Sequence, residues 1–97
     1  MMDAADLRLA LRRIAITLNR GDRTHPRGGP NHWLSLSVRD HTVKGLAHAE
    51  RAMLHVASQD DELAHAATRL LLALERRERD AASKLGLKQQ VERLRAG

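Results

Sequence analysis

Residues 60–75 (DDELAHAATRLLLALE) constrain the fold more than any other stretch, because they are the longest apolar-periodic segment of the chain. At the helical period of about 3.6 residues, their apolar side chains fall on more than one side. One face is formed by Leu63, Ala67, Leu70, Leu74 and Ala81, and Leu71 widens it. Leu72 lies on the far side, close to His65 and Arg69. Such a helix needs two contacts, so we predict a central helix that packs on the protein's own core and on a second element or a second copy.

Composition indicates a single all-α domain spanning residues 1–97. The chain has no Phe or Tyr, and Trp33 is its only aromatic residue, so the core must be built from Leu, Ala, Val, Ile and Met. Leu and Ala are strong helix formers. We therefore predict a small helical bundle with three main helices, a short C-terminal helix and a long basic loop after the first helix.

The net charge and the absence of cysteine limit the kinds of site and partner that the chain can have. The chain has no cysteine, which excludes disulfides and Cys-ligated zinc or iron–sulfur sites. Its formal net charge of +5 suits nucleic acid, nucleotides or other polyanions, and an arginine-rich background is the alternative explanation. No stretch reaches the roughly 20 apolar residues of a membrane span or resembles a signal peptide. We expect a cytoplasmic protein without a membrane partner.

Capping residues and breakers set the expected helix bounds. Helix 1 is expected over residues 4–19 with a stop at Gly21, and helix 2 from Ser35 or Ser37 to about residue 57. Helix 3 is expected to start at Ser58 or Asp60. After an interruption at Gly86, a short fourth helix is expected through Leu87, Val91 and Leu94. Asp3 and Ser37 each have an acidic residue three positions later, which predicts a capping box. The short break before residue 60 predicts that helices 2 and 3 form an antiparallel hairpin.

The loop at residues 20–36 contains two prolines and three glycines, which rule out a continuous helix. Arginines and histidines surround Gly28 and Gly29. Glycine amides and arginine forks bind phosphate, so a phosphate-binding loop is one interpretation and a plain connector is the other. Trp33 either anchors the loop on the helices or stacks on a base.

Helix 2 has an apolar face with a charge in its middle. The face is formed by Val43, Leu46, Ala47, Met53, Leu54 and Ala57, and Glu50 falls among them. A buried carboxylate is costly, so Glu50 is expected to be paired, protonated or bound to a metal, unless the face is wetter than its pattern indicates. Nearly opposite lie His41, His48 and His55 at seven-residue spacing. Two turns span about 10.5 Å, too far for two of them to share a metal, so this stripe is expected to be a polar face or a self-association seam.

Three segments resemble a known family. They are NHW at residues 31–33, LAHAERAML at residues 46–54 and DDELAHAATRLLLALE at residues 60–75. Together they are similar to the small helical dATP/dGTP diphosphohydrolase N-terminal family, which is frequent in phage and prophage genomes, and the resemblance covers about residues 20–76. Arg51 and His65 match the family pattern. Two histidines of that pattern are replaced, by Ala52 and Glu62, which implies an altered or inactive site if those histidines act in the chemistry.

The resemblance implies hydrolysis of a purine deoxynucleoside triphosphate to a monophosphate and pyrophosphate, with Mg²⁺ or Mn²⁺ bridging the phosphates and activating water. The implied metal ligands are Glu50, Asp61, His65 and Glu75, with Glu50 as base and His65 as acid. The implied nucleotide contacts are Asn31, His32 and Trp33, with Lys44 and Arg51 on the phosphates.

Two other functions remain open at this point. One is a non-catalytic, homo-oligomeric interaction or regulatory protein, for which the implied site residues would scatter and an apolar patch would be exposed or shared. The other is a nucleic-acid-binding module, which requires one continuous arginine face. The enzyme hypothesis instead requires the four implied metal ligands to converge in one pocket.

Overall fold

The computed structural model describes residues 2–24, 32–55 and 61–96, and every regular element in these ranges is helical. A 3₁₀ turn (Ala4–Leu7) leads into helix α1 (Arg8–Thr24), and a second 3₁₀ turn (His32–Ser35) precedes helix α2 (Val38–Met53). Helix α3 (Glu62–Ala96) completes the chain. The all-α prediction is confirmed. Across the described ranges, no helix is both long and apolar enough to cross a membrane.

The N-terminal cap is as predicted, but α1 ends later. The Asp3 carboxylate accepts a hydrogen bond from the Ala5 amide at 2.8 Å, and the Asp6 carboxylate accepts one from the Asp3 amide at 2.8 Å. The predicted stop at Gly21 is wrong, because α1 runs through it to Thr24. A helical glycine costs about 1 kcal/mol relative to alanine, which the rest of a helix can offset. Residues 25–31 of the predicted basic loop lie outside the described ranges.

Helix α2 starts where the sequence predicts and ends earlier. The Ser37 hydroxyl accepts from the Asp40 amide at 3.0 Å, and the Asp40 carboxylate accepts from the Ser37 amide at 3.1 Å, which completes a capping box. The helix ends at Met53 rather than near residue 57. His55 has a φ of 53°, in the left-handed region, which turns the chain out of the helix.

Helix α3 is capped by Asp61, whose carboxylate accepts a hydrogen bond from the Ala64 amide at 3.1 Å. The predicted caps Ser58 and Asp60 lie outside the described ranges. The predicted break at Gly86 is wrong, since α3 continues through this residue to Ala96. The whole helix has 35 residues and is about 52 Å long. No separate C-terminal helix exists among residues 62–96. A Cβ added at Gly86 would meet nothing within 4 Å, so this segment of α3 projects into solvent.

Helix α3 is the central element, as predicted, because both α1 and α2 pack against it. Helices α2 and α3 form the predicted antiparallel hairpin: His41 contacts Arg69, whereas the later residue His48 contacts the earlier residue Glu62. The face of α3 that holds Leu63, Leu70 and Leu74 does not form the core of the chain. Its leucines are exposed, and the buried side chains of α3 are Glu62, Ala64, Ala66, Thr68, Leu72 and Ala73.

The predicted core face of α2 is also wrong. Val43 is 57% exposed, Leu46 59% and Met53 72%, whereas His41 and Gly45 on the opposite side are buried against α3. Apart from Leu70, which lies beside Gly45, the hairpin closes through small and polar residues, and most of the large apolar side chains of both helices lie outside. The close approach that Gly45 allows explains why this side, and not the leucine side, forms the contact.

Candidate functional site

The first part of the site is a polar contact between α2 and α3, which we call the seam. It consists of six residues: His41, Gly45, His48, Glu62, His65 and Arg69. At one end His41 is fully buried. Its Nε2 lies 2.9 Å from the Trp33 carbonyl oxygen, and its Nδ1 lies 3.3 Å from Nη1 of Arg69. A guanidinium only donates, so Nδ1 accepts and Nε2–H donates to the carbonyl, which specifies the neutral Nε2-protonated ring. His41 thus joins the second 3₁₀ turn, α2 and α3.

Arg69 is placed in this seam by the geometry of Gly45. A Cβ at position 45 would lie 3.0 Å from Cγ and Cδ2 of Leu70 and 3.3 Å from Cβ of Arg69. A methyl group at position 45 would therefore require these neighbouring side chains to shift by a few tenths of an ångström. Burial of the guanidinium lowers the pKa of Arg69, since removal from water disfavours its charged form.

The other end of the seam holds a buried carboxylate. Nδ1 of His48 lies 2.5 Å from Oε2 of Glu62, whose side chain is 8% exposed. The ring of His65 stacks on that of His48, with ring centroids 5.0 Å apart and an interplanar angle of 23°. The sequence predicted a costly buried carboxylate at Glu50, and the structure has one at Glu62, with a histidine as its partner.

The implied metal ligands do not share one place. Glu50 is exposed on the outer side of α2, which agrees with the alternative that this face is wetter than its pattern indicates. Asp61 is exposed, caps α3 and lies 3.9 Å from Nε of Arg13. Glu75 is exposed and pairs with Arg79 at 2.9 Å, and the helical rise separates it from Asp61 by about 21 Å. His65 is half-buried on His48. The described residues therefore do not bring these four together.

The placement of the possible ligand side chains shows whether these residues fit a metal ion. Within residues 2–24, 32–55 and 61–96, no three His, Asp or Glu side chains are arranged to hold a metal ion. His48, Glu62 and His65 come nearest in chemistry, but the carboxylate is occupied by the histidine and the two rings are stacked. The residues described do not fit a Mg²⁺ or Mn²⁺ site.

The implied nucleotide contacts are spread over several places. Trp33 is half-buried, its carbonyl accepts from His41, and the Arg79 guanidinium lies 5.2 Å from its ring centroid. These contacts match the anchor interpretation of Trp33. Lys44 and Arg51 are both exposed on the flank of α2. Asn31 lies outside the described residues, as does the side chain of His32, whose backbone begins the second 3₁₀ turn.

The second part of the site is the exposed apolar surface of the hairpin. We call the side of α2 that points away from α3 the outer α2 face; it consists of Arg39, Val43, Leu46, Ala47, Glu50, Met53 and Leu54. The α3 leucine face consists of Leu63, Ala67, Leu70, Leu71 and Leu74, which are also exposed. A helix that is apolar on its surface is typical of an interface.

The size of the exposed surface supports this interpretation. The chain exposes 8139 Å², whereas a compact monomer of 10.8 kDa is expected to expose about 5,500 Å². Its radius of gyration is 17.2 Å, against about 12.5 Å for a compact chain of this length. The projecting end of α3 accounts for part of both differences. The two apolar faces add surface that other small proteins bury.

Sequence reasoning missed the partners in the seam. Glu62 and Arg69 were not assigned contacts with α2, and Gly45 was not identified as a close approach. The signal was present in the seven-residue spacing of His41 and His48, which was interpreted as a polar face or a self-association seam. That interpretation is wrong for His41 and His48, because both lie between two helices of the same chain.

Comparisons with protein-family models, with curated proteins and with solved structures find no match to this chain. Its function is therefore argued from the geometry of the seam and the two exposed faces.

Proposed function

We propose that this chain is a non-catalytic, homo-oligomeric helical interaction protein whose α2–α3 hairpin offers its apolar surface to another chain. One observation carries the proposal: the hairpin closes with its polar side inward, so the apolar faces of both helices remain on the surface. Removing such surface from water is the dominant favourable term in protein association. The scatter of the implied catalytic residues also favours an interaction protein over an enzyme.

The strength of the association can be bounded. Val43, Leu46, Met53 and Leu54 are each more than half exposed. Full burial of such a side chain stabilises by about 1.5–3 kcal/mol, so burying the exposed parts of eight in a symmetric pair contributes roughly 7–14 kcal/mol. Association costs about 4–15 kcal/mol in lost freedom of motion. The two ranges overlap, so we expect a reversible oligomer whose population depends on concentration.

Sedimentation equilibrium from micromolar to millimolar concentration tests the proposal. We expect a reversible rise in mass and a melting temperature that increases with concentration, as association to the folded state requires. Leu46→Ser, on the outer α2 face, should weaken association. The matched control is Leu94→Ser, at a residue of the projecting α3 segment that is 82% exposed, and it should leave association unchanged. A wild-type chain that stays monomeric throughout would refute the proposal.

The nucleotide function implied by the resemblance is a second candidate. What favours it is the contact of His48 with His65, which matches the family pattern, and with Glu62, which stands where that pattern has a histidine. Since the described residues do not fit a metal site, we derive no metal-dependent step and keep only the binding of a purine deoxynucleotide.

Melting temperatures with dATP, dGTP or ATP, each with and without Mg²⁺ or Mn²⁺, test this second candidate. The same samples are assayed for pyrophosphate. A shift with dATP or dGTP that is lost in His65→Ala supports nucleotide binding, and release of pyrophosphate would restore the enzyme hypothesis. No shift with any nucleotide removes this candidate.

Nucleic-acid binding is less well supported. Four arginines of α1 and α3 are already engaged with carboxylates, in the pairs Arg13–Asp61, Arg76–Asp80, Arg77–Glu78 and Arg79–Glu75. Mixed pairs of this kind interrupt the continuous arginine face that a phosphate backbone needs.

A further inference from the structure

We infer that two copies of this chain pack their α2 helices antiparallel across a two-fold axis, with Arg39 of one copy opposite Glu50 of the other. This inference rests on the proposed function, which it deepens by naming the face, the partner and the register. It is carried by the positions of two charges on the outer α2 face, the apolar residues between them and the exposed area.

The outer α2 face is a single stripe. At about 100° per residue, Arg39, Val43, Leu46, Glu50 and Met53 lie within an arc of about 80°. His41, Gly45 and His48 lie on the opposite side of the helix and hold it against α3. The stripe is therefore directed away from the hairpin, where a second copy can reach it.

The two charges on this stripe lack partners in the described part of the chain. Arg39 and Glu50 are both exposed, and the side chain of neither has a salt bridge or hydrogen bond to a described residue. They cannot reach each other within one helix, because the rise between them is about 16 Å. Glu50 also lies between Leu46 and Met53, where covering the apolar residues would bury it.

A two-fold axis between Lys44 and Gly45 gives each of these charges a partner of opposite sign. In an antiparallel pair, residues equally far on either side of the axis face each other. Arg39 then faces Glu50 of the second copy, and Val43 faces Leu46 of the second copy. Because a two-fold contact is self-complementary, each pair occurs twice. The apolar centre is closed at both ends by an ion pair.

Shifted registers of the two α2 helices would leave charged residues opposite apolar ones. A shift of about one helical turn in one direction places Glu50 opposite Val43 of the second copy, and a shift of about two turns places it opposite Leu46, so either would bury a carboxylate without a cation. A shift in the other direction places Arg39 opposite Leu46. Charges beside an apolar seam set orientation and register in paired helices, and here only the register centred between Lys44 and Gly45 pairs both.

The outer α2 face has apolar surface to contribute to such a contact. Val43, Leu46, Met53 and Leu54 are each more than half exposed, and burial of such side chains is the main favourable term in association. The α3 leucine face supplies further exposed apolar side chains on the same hairpin.

A charge-reversal cycle, measured by sedimentation equilibrium on the full chain, tests the register. Glu50→Arg and Arg39→Glu each place like charges together twice per dimer, so each should raise the dissociation constant by about tenfold or more. The double variant should return to within about threefold of wild type. Mixing the two single variants should produce a heterodimer tighter than either homodimer, because every pair across that interface is again of opposite charge.

Two controls match the charge changes. Lys44→Glu reverses a cation on the flank of α2, and Glu92→Arg reverses an exposed anion on the projecting part of α3; neither should change the dissociation constant by more than about threefold. Far-ultraviolet circular dichroism verifies that each variant stays helical. A wild-type monomer at all concentrations overturns both this inference and the proposed function. A wild-type oligomer that is insensitive to both reversals, or not restored by the double variant, overturns the register alone.

Discussion

The close approach of α2 to α3 at Gly45 leads to a quantitative prediction. Alanine is the better helix former, so Gly45→Ala gains about 1 kcal/mol from propensity. Its Cβ, however, would lie 3.0 Å from two Leu70 carbons and 3.3 Å from Cβ of Arg69, closer than ordinary contact. Forcing a methyl group into such a contact costs about 1–3 kcal/mol. We expect Gly45→Ala to range from neutral to about 2 kcal/mol destabilising.

Gly86 supplies the matched control in the same protein. It is also helical, and a Cβ there meets nothing within 4 Å, so Gly86→Ala keeps the propensity gain without the clash. Because this end of α3 can unfold locally, its gain should be measured as helical circular dichroism as well as global stability. Urea unfolding of both variants at equal protein concentration isolates the contact. If Gly45→Ala is as stabilising as Gly86→Ala, the two helices do not approach as described.

Three further predictions concern the seam and its cap. Glu62→Gln should destabilise by about 1–3 kcal/mol in urea unfolding, since His48 loses its charged partner, whereas Glu92→Gln should be nearly neutral. His41→Leu leaves the Trp33 carbonyl without its donor, so we expect a loss of about 2 kcal/mol and a red-shifted fluorescence of the only tryptophan. Hydrogen bonding by the Ser37 amide, and then by the Ser37 hydroxyl, lowers the pKa of Asp40 from its ordinary value of 3.8. The stability that the Asp40 carboxylate contributes should therefore be present above pH 3.8 and lost as the pH falls through the lowered pKa. Asp40→Asn should therefore flatten the acid limb of the stability profile, as measured by thermal unfolding from pH 7 to pH 2.

Local signals in the sequence predicted local structure well. The capping boxes at Asp3 and Ser37 are present because each needs only residues three positions apart. The antiparallel hairpin followed from a short connection. The glycine stops failed for the same local reason: a glycine lowers helix stability by about 1 kcal/mol, and the good helix formers after Gly86 offset that cost.

The core could not be predicted from periodicity. Hydrophobic periodicity identified the apolar stripe of α2 correctly as a stripe, since Val43, Leu46 and Met53 do share one side of the helix. It does not specify whether the same chain or another chain covers the stripe. That choice depends on which side of α2 lets a second helix come close, and the small residue Gly45 lies on the histidine side. Periodicity could not decide for the same reason whether Glu50 is buried or on a wetter face, and within the described residues it is exposed.

The inverted hairpin also connects stability to association. Among the described residues, the buried apolar side chains are Ala64, Ala66, Ala73 and one large residue, Leu72. The hydrogen bonds of the seam specify how α2 meets α3, and each contributes only about 0.5–1.5 kcal/mol net. The remaining apolar surface is on the outer α2 face and the α3 leucine face, so its burial by a second copy is the largest source of stability left to the chain. Self-association should therefore raise the stability of the fold, so that the unfolding midpoint increases with protein concentration.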